Sequence, residues 1–355
     1  MNDRIYICHT YYHVYISVLK ELNLPVSEHG KADILLSTLS NDFGNLQERL
    51  EKSGLFGRVL PYEEKPESFF PQLAKYHKDR GNIILNMLAR IRFTKLFGRL
   101  QAPFVPVDLK KYGDIYVFCD SDPIGYYLST YRIPYHAVED GLDTIRYCDT
   151  ARYDNRGHFE LKAWMASKNL IFIQEGYSKY CIDMEVNDIS VLPYKCPKHI
   201  EKPREELTAA LTEGDKRILV SVFMENLDNL ERQLSECPKD TKKALLLSEP
   251  LCDLETRERI FKDIIRDYCQ DCVVLIKPHP RDILDYKKIF PEQIVIEGKF
   301  PMEVLNFIPG ITFNKVVSVF TVPDAIKFTG EKVFLGEDFM DNYEAPEIHR
   351  QNEAI

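Results

Sequence analysis

Val273-Val-Leu-Ile-Lys277-Pro278-His279-Pro280-Arg281-Asp282 (VVLIKPHPRD) joins an apolar, β-branched run to a turn held by two prolines. The run reads as a buried strand, Val273 to Lys277. Proline fixes φ, so His279 sits on a rigid backbone at the carboxyl end of that strand. Similar short runs lie on either side. Arg217–Phe223 (RILVSVF), Ala244–Leu247, Gln293–Glu297, Lys315–Phe320 and Lys332–Leu335 are read as strands, with helices between them, most clearly Leu254–Tyr268. An earlier series has the same rhythm: strands Arg4–Cys8, Ala32–Ser37, Asp114–Cys119, Pro134–Val138 and Asn169–Ile173, with helices Tyr12–Leu22, Phe43–Leu55 and Gly125–Tyr131. Strands alternating with helices predict an α/β fold with mainly parallel sheets. The charged, proline-bearing stretch 195–207 (KCPKHIEKPREEL) is read as a linker between a first domain, 1–194, and a second, 208–355. The expectation is two Rossmann-like domains facing a cleft, with ligands outside the carboxyl ends of the strands.

Composition narrows the function. The 355 residues are 45% hydrophobic and 28% charged, which is globular and excludes wholesale disorder. A net charge of −9 argues against a nucleic-acid partner, because a polyanion calls for a positive field. No apolar run reaches the ~18 residues of a membrane span. The opening MNDRIYICHTYYHVYISVL lacks a signal-peptide pattern, and nine scattered cysteines suit a reducing cytoplasm. Cys269-x-x-Cys272 has no second pair at zinc spacing. One segment, 75–111, opposes the acidic trend with nine basic residues against Asp79 and Asp108. On a helix, Arg92, Lys95 and Arg99 share one face. That face is either solvated or a surface for anionic lipid or an anionic acceptor.

Four further strand-end motifs carry chemistry. Glu139-Asp140-Gly141 follows the strand HAV, a turn that offers a carboxylate. Ser318-Val-Phe-Thr321 ends a strand where a helix over Thr321–Lys327 is expected, so its hydroxyls and N–H groups suit an anion. Pro301-Met302-Glu303 places an acid that caps a helix or accepts the two hydroxyls of a ribose. Asp120-Ser121-Asp122 is compatible with a DxD metal motif, but Pro123 follows as a first helical residue, so Asp122 is read as a helix cap.

Taken together and in this order, KPHPRD, the Glu139-Asp140-Gly141 turn, the hydroxyl motif near Thr321 and the opening CHTYYHVYI resemble glycosyltransferase family 52, which contains the lipooligosaccharide sialyltransferases. The resemblance runs from residue 4 to about residue 335. It implies a GT-B-type fold, CMP-sialic acid as donor, a glycan or glycolipid acceptor, inversion, no metal or other cofactor, and a homodimer. It assigns His279, with Pro280, to the CMP phosphate, Lys277 and Glu303 to the cytidine, and Ser318 and Thr321 to the phosphate. Thr321 is followed by Val322, a departure from the family's hydroxyl pair. An acceptor hydroxyl is a weak nucleophile, so a carboxylate must take its proton. In this family that base is an Asp of the second domain upstream of the His-Pro motif, which points to Asp253; related sialyltransferases use the acidic turn, which points to Asp140. Asp253 is also a candidate N-cap for the helix from Leu254. The reading is a cytoplasmic sialyltransferase acting on a surface glycan, with peripheral contact at the inner face of the cell membrane. The alternatives are a family member with another donor, an α-glucosyltransferase; a CDP-polyol phosphotransferase; and a non-catalytic scaffold.

Overall fold

Apolar side chains on both faces of a strand favour a parallel sheet covered by helices on each side. The computed structural model describes residues 3–118, 120–140, 150–192, 194, 198–238, 240–279, 281–308, 311–323, 326–327 and 329–349, and it forms two compact units, Met1–Thr212 and Glu213–Ile355.

The first unit holds β1 (Arg4–Cys8), β2 (Ala32–Ser37), β3 (Phe56–Tyr62), β4 (Asp114–Val117), β5 (Tyr135–Val138), β6 (Cys181–Val186) and β7 (His199–Glu201). They lie in the order β3-β2-β1-β4-β5-β6-β7, each pair parallel. Ile5, Ile7, Leu35 and Val117 are wholly buried in its core. The strand order reverses between β1 and β4, and such a switch point opens a crevice at the carboxyl edge. The helix Pro123–Tyr131 packs beside that edge. Gly125 permits it, because a Cβ there would lie 1.9 Å from the Asp120 carbonyl oxygen and 2.5 Å from the Phe172 ring.

The second unit holds β8 (Lys242–Leu247), β9 (Cys272–Lys277), β10 (Ile294–Val295), β11 (Phe313–Ser318) and β12 (Thr329–Phe334), in the order β10-β9-β8-β11-β12, again all parallel. Its order reverses between β8 and β11. The helix Leu254–Tyr268 covers one face through Ile260, Phe261 and Ile264, whose spacing makes a helical stripe.

Four expectations are corrected. Arg217–Phe223 is not a strand but part of the helix Glu213–Phe223, with Leu219, Val220, Val222 and Phe223 buried at helical spacing. Asn169–Ile173 forms no strand, and Asn169 has φ 56°. The described part of the 195–207 stretch is not a linker. Its β7 pairs with β6, and its helix Arg204–Ala209 is tied in by Asn187 Oδ1, which accepts the Arg204 N–H, and by Asn23 Nδ2, which donates to the Leu207 carbonyl. The division between units falls after Thr212. Finally, the described residues of Thr321–Lys327 form no α-helix.

Four of the nine basic residues of the segment, Arg90, Arg92, Lys95 and Arg99, lie on the helix Ile83–Gln101. Arg92, Lys95 and Arg99 do not share one solvated face. Lys95 turns inward, its Nζ donating to Asn169 Oδ1 at 3.1 Å, and burial pushes its pKa down to about 8. No helix among the described residues is long and apolar enough to cross a membrane.

Candidate active site

In the first unit, ionisable groups gather just beyond the carboxyl ends of β1, β3, β4 and β5. The helix Tyr11–Leu22 begins there with a capping box of unusual composition. Thr10 Oγ1 accepts the His13 N–H at 3.2 Å, and His13 Nδ1 accepts the N–H groups of His9 at 3.0 Å and Thr10 at 3.2 Å. Two N–H groups aimed at Nδ1 require a lone pair there, so the ring proton sits on Nε2. That Nε2–H points at the Asp140 carboxylate. The His13 ring is buried and stacked on Phe118 at 4.7 Å. Burial lowers its pKa against the opposing pull of Asp140, so His13 is a neutral donor of fixed tautomer. Asp140 itself keeps a third of its side chain exposed (33%).

His9 lies alongside. Its Nε2 is 2.7 Å from Glu64 Oε2 and 3.3 Å from Asp122 Oδ2. Burial disfavours its charge, but Glu64, Asp122 and Asp140 outweigh burial and raise its pKa. Glu64 also accepts from Ser37 Oγ at 2.9 Å and the Ile124 N–H at 2.6 Å, so Glu64, not Asp122, caps the helix Pro123–Tyr131. Asp122 occupies the N-cap position without a side-chain capping bond, which corrects the expectation of a plain cap. Burial pushes its pKa up to about 6. His9, Glu64 and Asp122 offer ligand atoms within 4.8 Å of one another, a set able to take a divalent ion. A DxD arrangement is absent, because Asp120 is buried and bonded to the Tyr135 hydroxyl at 2.9 Å and the Glu175 N–H at 3.1 Å. Glu139 is structural: its buried carboxylate accepts the Asn187 N–H at 2.7 Å and lies 3.5 Å from Arg204. Gly141 lies outside the described residues.

In the second unit, Asp282 organises the turn after β9. Its buried carboxylate accepts from Arg257 Nη1 at 2.6 Å, the Tyr286 hydroxyl at 2.7 Å, Ser248 Oγ at 2.9 Å and the Leu284 N–H at 3.1 Å. Ser248 Oγ in turn accepts the His279 N–H at 3.0 Å. His279 Nδ1 accepts the Arg281 N–H at 3.1 Å, which leaves Nε2 as the ring's N–H donor. Burial, with Arg281 and Lys277 nearby, pushes the His279 pKa down to about 4. The His279 imidazole is therefore neutral before any anion binds. Pro280 lies outside the described residues. Lys277 is buried, with Nζ donating to the Pro278 carbonyl at 2.7 Å and lying 4.2 Å from the Phe300 ring centre. Its pKa falls to about 7 through burial, against the pull of Glu303. Glu303 lies in the first turn of the 3-10 helix Met302–Phe307, and burial raises its pKa.

The hydroxyl motif differs from expectation. Ser318 Oγ donates to the Thr321 carbonyl at 2.6 Å, and no helix starts at Thr321. The N–H groups of Phe320 and Thr321 are instead directed at the Glu249 carboxylate. Asp253 is an exposed helix N-cap. Oδ1 accepts the Thr256 N–H and Oδ2 the Thr256 hydroxyl, both at 2.9 Å, and these bonds lower its pKa.

Sequence reasoning named His279 and Asp140 but missed His9, His13, Glu64, Glu249 and Asp282 as site members. The histidine spacing in CHTYYH was a usable signal, because an i, i+4 pair opening a helix after a strand places both rings at the sheet edge.

The chain resembles known proteins in sequence and in fold. The pattern of glycosyltransferase family 52 matches residues 74–333, more than half the chain. Among solved structures it is similar to the α/β-galactoside α-2,3-sialyltransferase of the luminous marine bacterium Photobacterium phosphoreum, at 12% identity and TM-score 0.52 over 94% of this chain and 91% of that one. The GT-B domain of the Photobacterium damselae sialyltransferase gives 12% and 0.52 over 94% and 90%. The 2,6-sialyltransferase of Photobacterium sp. JT-ISH-224, solved with CMP and lactose, gives 9% and 0.54 over 94% and 71%. These likenesses show the fold, α/β of GT-B type. A Haemophilus influenzae protein described only as uncharacterized is 36% identical over 94 residues, which span 25% of this chain and 30% of that protein, under a third of its length. The family match takes in the Asp140 turn, the His279 turn and the Glu249–Thr321 contact, and the chain belongs to glycosyltransferase family 52.

Proposed function

We propose that this protein is a sialyltransferase that moves sialic acid from CMP-sialic acid, with inversion and without a metal, to a hydroxyl of a terminal galactose of a surface glycan. The observation that carries the reading is the partly exposed Asp140 carboxylate gripped by a neutral His13 of fixed tautomer. A carboxylate so held, with a third of its side chain reached by solvent, suits removal of a proton from an acceptor hydroxyl. His279 Nε2–H supplies a hydrogen bond to the phosphate of the leaving CMP, and Lys277 with Glu303 bounds the nucleoside. A monophosphate leaving group needs less charge compensation than a diphosphate, which favours metal-independent chemistry. Asp140 is preferred to Asp253 as base because both Asp253 oxygens are already engaged in the cap.

The activity test is a panel of CMP-sialic acid, UDP-glucose and CDP-glycerol with a galactosyl acceptor, run with and without EDTA. The expected outcome is CMP release with a sialylated product, unchanged by EDTA. Turnover only with UDP-glucose would indicate the glucosyltransferase, and only with CDP-glycerol the phosphotransferase. Loss on chelation restored by Mn²⁺ would assign the His9–Glu64–Asp122 set to a metal.

The roles separate by substitution. Asp140→Asn should lower turnover by roughly 10²–10⁴-fold, the range of a single acid–base group, with CMP affinity within a few-fold. His279→Ala should lower both. Asp253→Asn should cost about 0.5–2 kcal/mol of stability, as loss of a cap does, and keep most turnover. Abolished turnover in a stably folded Asp253→Asn protein, with Asp140→Asn mild, would move the base to Asp253.

Peripheral membrane contact is part of the proposal. Ile84 (67%) and Leu88 (46%) on one helix and Trp164 (56%) on another are exposed, and so are the cations Lys78 and Arg80, just before the first helix in sequence, and Arg92 within it. The two helices share a small core through Met87, Ile91, Met165 and Ala166. Exposed apolar groups with basic neighbours fit an anionic bilayer surface. Co-sedimentation with phosphatidylglycerol vesicles, but not phosphatidylcholine vesicles, is expected, and Ile84→Glu with Trp164→Glu should abolish it. Equal binding to both vesicles, or to neither, would reject the contact. The mass of the lipid-free protein in the same ultracentrifuge tests the homodimer.

A further inference from the structure

The crevice at the β8/β11 switch point already holds an anion, and that anion is part of the chain. Glu249 follows β8 and is buried (5% exposed). Its carboxylate accepts the Phe320 N–H at 2.9 Å to Oε2 and 3.1 Å to Oε1, the Thr321 N–H, and the Thr321 side chain. Two consecutive backbone N–H groups converging on one oxyanion form a nest, the arrangement with which proteins hold phosphate. Ser318 Oγ pins the loop from within by donating to the Thr321 carbonyl. Among the described residues, no Lys, Arg or His forms an ion pair with Glu249, so neutral donors alone hold the carboxylate. Burial without a counter-cation raises its pKa. Glu249 is thus a costly residue for a loop that needs only an acceptor, since a neutral amide oxygen would brace it equally.

We propose that Glu249 sets donor affinity by occupying the nest that the nucleotide phosphate takes, so that the phosphate must displace it. This rests on the reading of the chain as a nucleotide-sugar transferase. A phosphate and the Glu249 carboxylate cannot share the same N–H groups, and two like charges a few ångströms apart repel strongly in a desolvated site. In the empty site Glu249 satisfies the N–H groups; in the loaded site it swings aside. Its charge therefore opposes the dianionic CMP product more than the monoanionic phosphodiester of the donor, which favours product release.

The test is calorimetric binding of CMP and of inorganic phosphate to wild type, Glu249→Gln and Glu249→Ala, with the melting temperature of each. Glu249→Gln keeps the shape and an acceptor oxygen, which guards against a variant that fails to fold. The proposal expects both folded variants to bind CMP about tenfold or more tighter than wild type, on the scale of one like charge removed, and to gain more thermal protection from inorganic phosphate. Folded variants that bind CMP no tighter than wild type overturn it and make Glu249 a brace. Wild type that transfers sialic acid while Glu249→Gln binds CMP unchanged rejects this proposal alone. Variants that gain phosphate binding while no form binds CMP or transfers sugar sustain the nest and reject the sialyltransferase reading. Absence of both ligands from every folded form overturns the proposal.

Discussion

Burial of both faces of a parallel sheet is the constraint on which the rest of this protein depends. Leu35 in one sheet and Leu246 and Ile276 in the other are wholly enclosed, so the central strands of both sheets offer little room for polar chemistry along their length. The charged groups of the candidate site gather at the edge where strands hand over to helices. At that edge desolvation is severe, and a charge persists only with a partner. Glu64 has Ser37, His9 and the Ile124 N–H; Asp282 has Arg257, Tyr286 and Ser248; Glu249 has the Phe320 and Thr321 N–H groups. The pairing that makes the fold tolerable also fixes the geometry of the site.

Local backbone structure then sets protonation. The capping box that starts the helix Tyr11–Leu22 uses a histidine ring nitrogen in the place usually taken by a Glu or Gln side chain. One nitrogen serves the backbone, so the other must donate. The same logic acts at His279, whose Nδ1 accepts from the Arg281 N–H while the Asp282 network holds the turn through Ser248. Arg257 extends that network by donating to the Leu251 and Cys252 carbonyls, which joins the loop after β8 to the turn after β9. Helix capping, turn closure and imidazole tautomer are thus one set of hydrogen bonds.

What was legible in the sequence was local. Continuous apolar runs such as VVLIK and ADILLS have one plausible structure in this context, and the proline turn fixes where His279 lies. The misreadings were of two kinds. RILVSVF is apolar enough for a strand, but its buried positions fall at helical spacing, which a short apolar run does not reveal. The 195–207 stretch looked like a linker because β7 is short and partly exposed. The site residues that escaped notice are defined by partners far away in the chain. His9 meets Glu64 across 55 residues, His13 meets Asp140 across 127, and Glu249 meets Thr321 across 72. Nothing in the spacing of a single sequence announces such pairs. The hydroxyl motif failed as a helix N-terminus for a related reason, since its N–H groups are answered by Glu249 in the loop after β8.

The account stands on His13 as a neutral imidazole that donates from Nε2 to Asp140. Nitrogen-15 NMR of labelled protein reports this directly through the ring shifts and one-bond couplings of His13. The prediction is an unprotonated Nδ1 and a protonated Nε2 between about pH 5.5 and 8, the range in which an ordinary histidine titrates. In Asp140→Asn the same tautomer should persist, because the backbone N–H groups of His9 and Thr10 impose it. A His13 ring that gains a second proton near the ordinary histidine pKa, or one protonated on Nδ1, would contradict the account.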